Sequence, residues 1–133
     1  MLFGQEHVRR YRETDGEEGH DWQGTQVLIL TTTGRKSGQQ RSTPLIYGRH
    51  GEDYLLVASK GGADQPPGWY VNLEANPEAE IQVKADRFKV RARTASAEEK
   101  PEMWATMTAQ WPAYNDYQRK TEREIPVVVL ARE

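Results

Sequence analysis

Thr25-Gln26-Val27-Leu28-Ile29-Leu30-Thr31-Thr32, then Thr33-Gly34-Arg35-Lys36-Ser37-Gly38, then Arg41-Ser42-Thr43-Pro44-Leu45-Ile46-Tyr47: this succession decides the fold. The first segment is a β-branched and leucine run, which predicts a largely buried strand. Gly34 and Gly38 bracket a turn, and Arg41 to Tyr47 is the partner strand. Pro44 cannot donate to the ladder, so that partner belongs at a sheet edge or carries a bulge.

Outward from this hairpin, His50-Gly51-Glu52-Asp53 reads as a turn into a third strand, Tyr54 to Ala58. Ile81 and Val83 alternate with polar residues, as do Phe88, Val90 and Ala92, giving a second hairpin around Lys84-Ala85-Asp86-Arg87. Pro126 to Ala131 is a continuous Val/Leu run, expected to lie central and buried. Short helices fall between the strands. One spans residues 5–14, and a second runs from Trp69 to Ala75 with Asn76-Pro77 as its stop. A third opens on the capping box Ser96-Ala97-Glu98-Glu99, tolerates Pro101 near its first turn, and ends about Trp111-Pro112.

About six strands joined mostly as hairpins predict a split antiparallel β-barrel, mainly β in an α+β chain, since closure removes aggregation-prone edges. A doubly wound sheet would need helices alternating regularly with strands. The division expected is an N-terminal helix or arm over 1–24 and one cofactor-binding barrel domain over 25–133.

Bulk composition bounds the function. The chain has 133 residues, one domain that buries roughly two thirds of its unfolded surface. Eighteen Lys and Arg against 20 Asp and Glu leave a net charge of −2, which argues against a general nucleic-acid binder. There is no cysteine, so thiolate catalysis, disulfides and iron–sulfur clusters are excluded. His7, His20 and His50 share no ligand-like spacing, and no metal is expected. No stretch reaches the ~20 apolar residues of a membrane span, and no signal-peptide pattern is present, which makes the expected location cytoplasmic.

Within this acidic chain, Trp22 to Gly51 holds no acidic residue. Arg35, Lys36 and Arg41 therefore sit around a tight turn with nothing nearby in sequence to neutralise them. Arg offers a planar fork and Lys a mobile charge, suited to phosphate or carboxylate. The competing reading is a solvated hairpin tip. Ser59-Lys60-Gly61-Gly62 follows a strand directly, and its glycines allow backbone amides to approach an anion. It lacks the ending of a phosphate-binding Walker loop, and a plain surface loop is its alternative.

Trp69 and Tyr70 read as core, as does the stripe Trp104, Met107, Trp111. Tyr114 and Tyr117 lie three apart in what reads as a polar loop past a helix end, where they could cover a flat ring or offer a proton. Ser59 has no nucleophile elbow around it. Arg9, Arg10 and Arg12 form a wet helix face or touch an anionic surface such as a membrane. The residues point to a small redox protein with an anionic, ring-bearing cofactor.

Thr31 to Gly38 with Arg41, Thr43, Pro44 and Leu45 resembles the deazaflavin-dependent nitroreductase family of actinobacteria. So do Val57-Ala58-Ser59-Lys60-Gly61-Gly62, Trp69-Tyr70-Val71-Asn72-Leu73, and Tyr117-Gln118-Arg119-Lys120-Thr121 leading into Ile125-Pro126-Val127. The match covers about residues 25–131 in the family's order. The resemblance implies a split barrel of the FMN-binding type and reduced coenzyme F-420, an 8-hydroxy-5-deazaflavin with a phosphate and an oligoglutamate tail. It implies that Arg35, Lys36, Ser37 and Arg41 hold the phosphate and tail, and that Pro44, Ala58, Ser59, Lys60 and Gly61 line the deazaflavin. Trp69, Trp111, Tyr114 and Tyr117 would wall the substrate pocket, with Ser59, Tyr114 and Tyr117 nearest the chemistry.

The activity implied is hydride transfer to a quinone, nitroaromatic or other activated acceptor, by a monomer or homodimer with possible peripheral membrane contact. An FMN-binding oxidoreductase and a non-catalytic deazaflavin carrier are the alternatives. Single-stranded nucleic acid is not expected, because the cationic stretch has aromatics only at its ends, Trp22 and Tyr47.

Overall fold

The computed structural model describes residues 2–133. Helix α1 (Gly4–Glu13) leads into β1 (Asp21–Trp22), β2 (Thr25–Thr33), β3 (Gln40–Ile46), β4 (Gly48–His50) and β5 (Asp53–Val57). A 3-10 turn (Lys60–Gly62) and α2 (Gly68–Ala75) precede the hairpin of β6 (Glu78–Val83) and β7 (Asp86–Thr94). Two helices, α3 (Lys100–Gln110) and α4 (Ala113–Arg119), then return the chain to β8 (Val127–Arg132).

The strands form one antiparallel sheet in the order β1-β2-β6-β7-β8-β5-β4, with β3 paired to β2 off that path. The sheet curls into a half-barrel of split-barrel type with four short helices. The six expected strands are all present. To them are added β1 and β4, of two and three residues, too short to register as periodicity. Pro44 faces Ile29 on β3, a strand whose partner is β2, so the missing amide falls on an edge as expected.

The continuous apolar runs exist because both faces of β5 and β8 are buried. Tyr54, Leu56, Val128 and Leu130 point into the barrel core with Leu28, Leu30, Ile81 and Val90. Their neighbours Leu55, Val57, Val127 and Val129 point the other way, onto Met103, Met107, Tyr114 and Ile125. Full burial of such side chains contributes about 1.5–3 kcal/mol each, so α3 is held chiefly by Met103 and Met107. A third cluster, Val8, Tyr11 and Ile29, seats α1 on β2.

One turn is tighter than the sequence suggested. Asp86 and Arg87 belong to β7, leaving a two-residue turn at Lys84-Ala85, with Lys84 at φ +56°. The capping box is present: the Ser96 amide donates to Glu99 Oε1 at 2.9 Å and the Glu99 amide donates to Ser96 Oγ at 3.3 Å. The Arg93 guanidinium grips Glu99, and with the Ser96 amide it holds that carboxyl down at about 2.

One local expectation is overturned. Tyr114 and Tyr117 are on a helix, α4, not in a loop. Trp111 breaks α3 (φ −138°, ψ 84°), but Pro112 itself is helical (φ −57°, ψ −22°). The proline that stops one helix thus starts the next, because its fixed φ suits a first turn.

Candidate functional site

Two open cavities adjoin on one side of the barrel, and Thr43 and Trp69 line both. The first, of 470 Å³, is lined by Arg35, Lys36, Ser37 and Arg41 from the β2–β3 turn and by Asn72 from α2. The second, of 500 Å³, is floored by Pro44, Leu45 and Ile46 of β3 and bounded by Ser59, Lys60 and Gly61. Trp111, Tyr114 and Tyr117 close it from one side, and Phe3, His7 and Trp22 from the N-terminal side. Two separate sequence patterns, the cationic turn and the Ser-Lys-Gly-Gly loop, are therefore joined by a shared wall.

Four cations of this cleft carry no carboxylate partner among the described residues, unlike several on the rest of the surface. Arg9, Arg10, Arg87, Arg91, Arg119 and Lys100 each pair with a carboxylate. Among the described residues, no carboxylate pairs with Arg35, Lys36, Arg41 or Lys60, all of which are exposed. Clustered like charges repel, so an arrangement of this kind lowers its energy by taking up an anion.

Arg35 is positioned rather than free. Asn72, 7% exposed, accepts from the Arg35 amide (3.2 Å) and from its guanidinium (2.9 Å) through the same Oδ1, and donates to Thr32 Oγ1 (3.2 Å). This residue lies inside the Trp-Tyr-Val-Asn-Leu segment, where no local pattern assigns it a duty. Arg12 spans α1 to the hairpin, donating to Thr31 Oγ1 and Ser42 Oγ, and so is more than a wet helix face.

The loop after β5 is held under local strain. Ser59 is right-handed (φ −83°, ψ −38°), and Lys60 follows at φ +45°, then Gly61 at +64° and Gly62 at +87°. A right-handed residue followed by a left-handed one is the backbone form of an anion-binding concavity. For a lysine the left-handed region costs about 1–2 kcal/mol. Arg123 offsets this from the far side, donating to the carbonyls of Ala58 (3.2 Å), Ser59 (2.9 Å) and Ala63 (2.8 Å). No sequence signal marked Arg123, since its partners are main-chain oxygens sixty or more residues away.

Of the expected site residues, Ala58 alone lines neither cavity; its side chain is fully buried in the barrel core. Trp69 is both core and wall, 9% exposed. Tyr114 is 5% exposed, and its hydroxyl has no hydrogen-bond partner among the described residues. Burial, with Tyr117 adding to it, pushes the Tyr114 phenol far up from its ordinary range, so it stays protonated. Tyr117 accepts a hydrogen bond from the Trp111 indole at 3.3 Å. At the mouth Trp22 lies against Trp111 (centroids 5.9 Å) and Phe3 edge-on to Trp22 (5.7 Å). Neither Trp22 nor Phe3 is among the individually expected site residues, although both belong to the N-terminal arm over 1–24.

The donor set suits an elongated molecule with an anionic end and a flat ring. The unpaired cations and the left-handed loop would take phosphate and carboxylates, and the proline–aromatic slot would take the ring. Among the described residues no group of acidic and histidine side chains could hold a metal ion, and no helix is long and apolar enough to cross a membrane.

Comparisons with known proteins converge on one group. The family model described as F420H(2)-dependent quinone reductase matches residues 3–132. An F420H(2)-dependent quinone reductase of Mycobacterium tuberculosis is 45% identical over 130 residues, covering 95% of this chain and 87% of that protein. A solved structure described as an F420-H2 dependent reductase (FDR-A) is 38% identical, with a TM-score of 0.72 over 78% of this chain and 92% of that one. Another, described as a domain-swapped dimer, is 36% identical with a TM-score of 0.76 over 95% of each chain.

Proposed function

We propose, for a chain that belongs to the F420H(2)-dependent quinone reductase family, that the paired cavities are its coenzyme and acceptor sites. The protein is an oxidoreductase that uses coenzyme F-420 to reduce quinones. Neither FMN nor a non-catalytic carrier role is favoured by that membership. The observation that carries the site assignment is the shared wall of Thr43 and Trp69 between a cationic and an aromatic compartment.

When bound, the reduced deazaflavin supplies a hydride. What remains for the chain is binding, orientation, water exclusion and a proton. Arg35, Lys36, Ser37 and Arg41 take the phosphate and glutamate carboxylates, with Asn72 fixing the Arg35 fork. Lys60 and the loop amides add a second anionic contact. Pro44, Leu45 and Ile46 form the apolar floor for the ring system. Trp111, Tyr114 and Tyr117 oppose that floor and keep water from the acceptor. Ser59 Oγ and the Tyr114 hydroxyl are donors available to an acceptor oxygen, which they polarise as negative charge develops on it.

Nitroaromatics are flat and oxygen-bearing too, and we include them as acceptors of the same slot. Phe3, 61% exposed at the mouth, supports a peripheral membrane contact through which a lipid-soluble quinone would enter. A homodimer is our reading of the assembly, after the neighbour described as domain-swapped. The test is oxidation of reduced coenzyme F-420, followed by absorbance, with menaquinone-like and nitroimidazole acceptors. Turnover with the quinone is the expected result; coenzyme binding without oxidation by any acceptor would defeat the reading.

A further inference from the structure

His7 is 3% exposed, yet it lines the aromatic cavity. Its Nε2 lies 2.8 Å from the Gly19 carbonyl, and a carbonyl only accepts, so Nε2 carries a proton in every charge state. Gly19 permits this approach. A Cβ there would meet His7 Cδ2 at 2.9 Å and Nε2 at 3.0 Å, and the backbone is left-handed (φ +105°). The Cδ2–Nε2 edge thus faces Gly19, and Nδ1, across the ring from it, faces away with no hydrogen-bond partner among the described residues. The Trp22 indole lies beside the ring, its centroid 6.3 Å off. A buried imidazole anchored through one nitrogen, with the other left open in a ligand cavity, is not explained by packing.

We propose that His7 Nδ1 is the proton donor to the acceptor oxygen, which makes it a catalytic residue of the quinone-reduction reading above. Reduction of a quinone to a hydroquinone needs a hydride, carrying both electrons, and one further proton. In this step His7 acts as the imidazolium, protonated on both nitrogens: its Nδ1–H bond breaks, the quinone oxygen–hydrogen bond forms, and the neutral ring that is left keeps its proton on Nε2 against the Gly19 carbonyl. Solvent at the open mouth then returns the proton. The division of labour follows from Tyr114, which holds its proton and can only donate a hydrogen bond to the acceptor.

The test compares wild type with His7→Gln on two acceptors, using reduced coenzyme F-420. Tetramethylbenzoquinone gives a weakly acidic hydroquinone that must be protonated; tetrachlorobenzoquinone gives one stable as its anion. Loss of a general acid should lower kcat on the tetramethyl acceptor by about tenfold or more, and on the tetrachloro acceptor by less than about threefold. Coenzyme affinity, read by fluorescence, should stay within about twofold, as the change touches only the acceptor side. Equal loss on both acceptors, or none on either, overturns the proposal and leaves the functional reading standing. Wild type inactive on both would bring down that reading as well. His7→Phe, which keeps ring volume and removes both nitrogens, should behave the same way if the glutamine variant does not fold. In isotope-labelled wild type, the His7 Nδ1 resonance should shift on adding tetramethylhydroquinone; an unmoved resonance also overturns the proposal.

Discussion

Gly62 and Tyr117 meet backbone to backbone: a Cβ on Gly62 would lie 2.7 Å from the Tyr117 carbonyl oxygen and 3.0 Å from its Cα. The loop carrying Lys60 and the helix carrying both tyrosines are therefore one unit, and neither can shift without the other. Gly62 also sits at φ +87°, where a side chain is strained in any case. Gly62→Ala should lose about 1–3 kcal/mol of stability through overpacking alone. Denaturant unfolding measures this, and a midpoint equal to wild type would show that the two segments are not tightly joined.

The unpaired cations should matter for binding and little for folding. Lys36→Ala and Lys60→Ala are each expected to weaken coenzyme binding by about 1.5–3 kcal/mol, the range for a charged hydrogen bond. Lys60→Gly should weaken it likewise while stabilising the free protein by about 1 kcal/mol, because the left-handed strain goes with the side chain. Fluorescence titration beside thermal unfolding separates the two effects.

Arg123 acts on the site from behind. Replacing it with Met keeps much of the side-chain bulk but frees the carbonyls of Ala58, Ser59 and Ala63. We expect a stability loss of about 1.5–3 kcal/mol and weaker coenzyme binding, although Arg123 lines neither cavity of the site. Unchanged affinity would mean that the loop holds its shape without the clamp.

Tyr114→Phe removes a hydroxyl that has no hydrogen-bond partner among the described residues, so folding should be nearly unaffected. Turnover or the preference between quinone and nitroimidazole should change, with coenzyme affinity within about 0.5 kcal/mol of wild type. Steady-state kinetics on both acceptors decide it.

Alkaline stability should report Tyr47. Burial, then the neighbouring Tyr11 and Tyr54, push its phenol up to about 12 from 10.0, and its hydroxyl meets His20 Nε2 at 2.8 Å. The folded state holds this proton more tightly than the unfolded one. Its contribution is whole below pH 10 and is lost as pH rises through about 12. Unfolding midpoints measured across that window should fall in wild type and fall less steeply in Tyr47→Phe.

The strands were legible because their side chains answer to local rules. Val27–Leu30, Tyr54–Val57 and Val127–Leu130 are buried on both faces, and continuous apolar runs are what two covered faces require. Ser96 and Glu99 announced α3 by a spacing that closes two hydrogen bonds within one turn. The second helical segment was hidden, because Pro112 reads as a stop and its power to restart a helix depends on where the chain goes next.

The site divides along the same line. Chain chemistry alone determined that Arg35, Lys36 and Arg41 have no acidic neighbours in sequence, and that the protein has the parts for an anionic, ring-bearing coenzyme. Only the tertiary structure decided that the two cationic segments share Thr43 and Trp69 as a wall, that Asn72 and Arg123 hold them, and that His7 lines the aromatic cavity. The reason is distance along the chain. Charge and periodicity are properties of neighbours in sequence, whereas a hydrogen bond from Arg123 to Ser59, or a glycine that lets His7 approach, exists only once the sheet has curled and brought remote backbone within 3 Å.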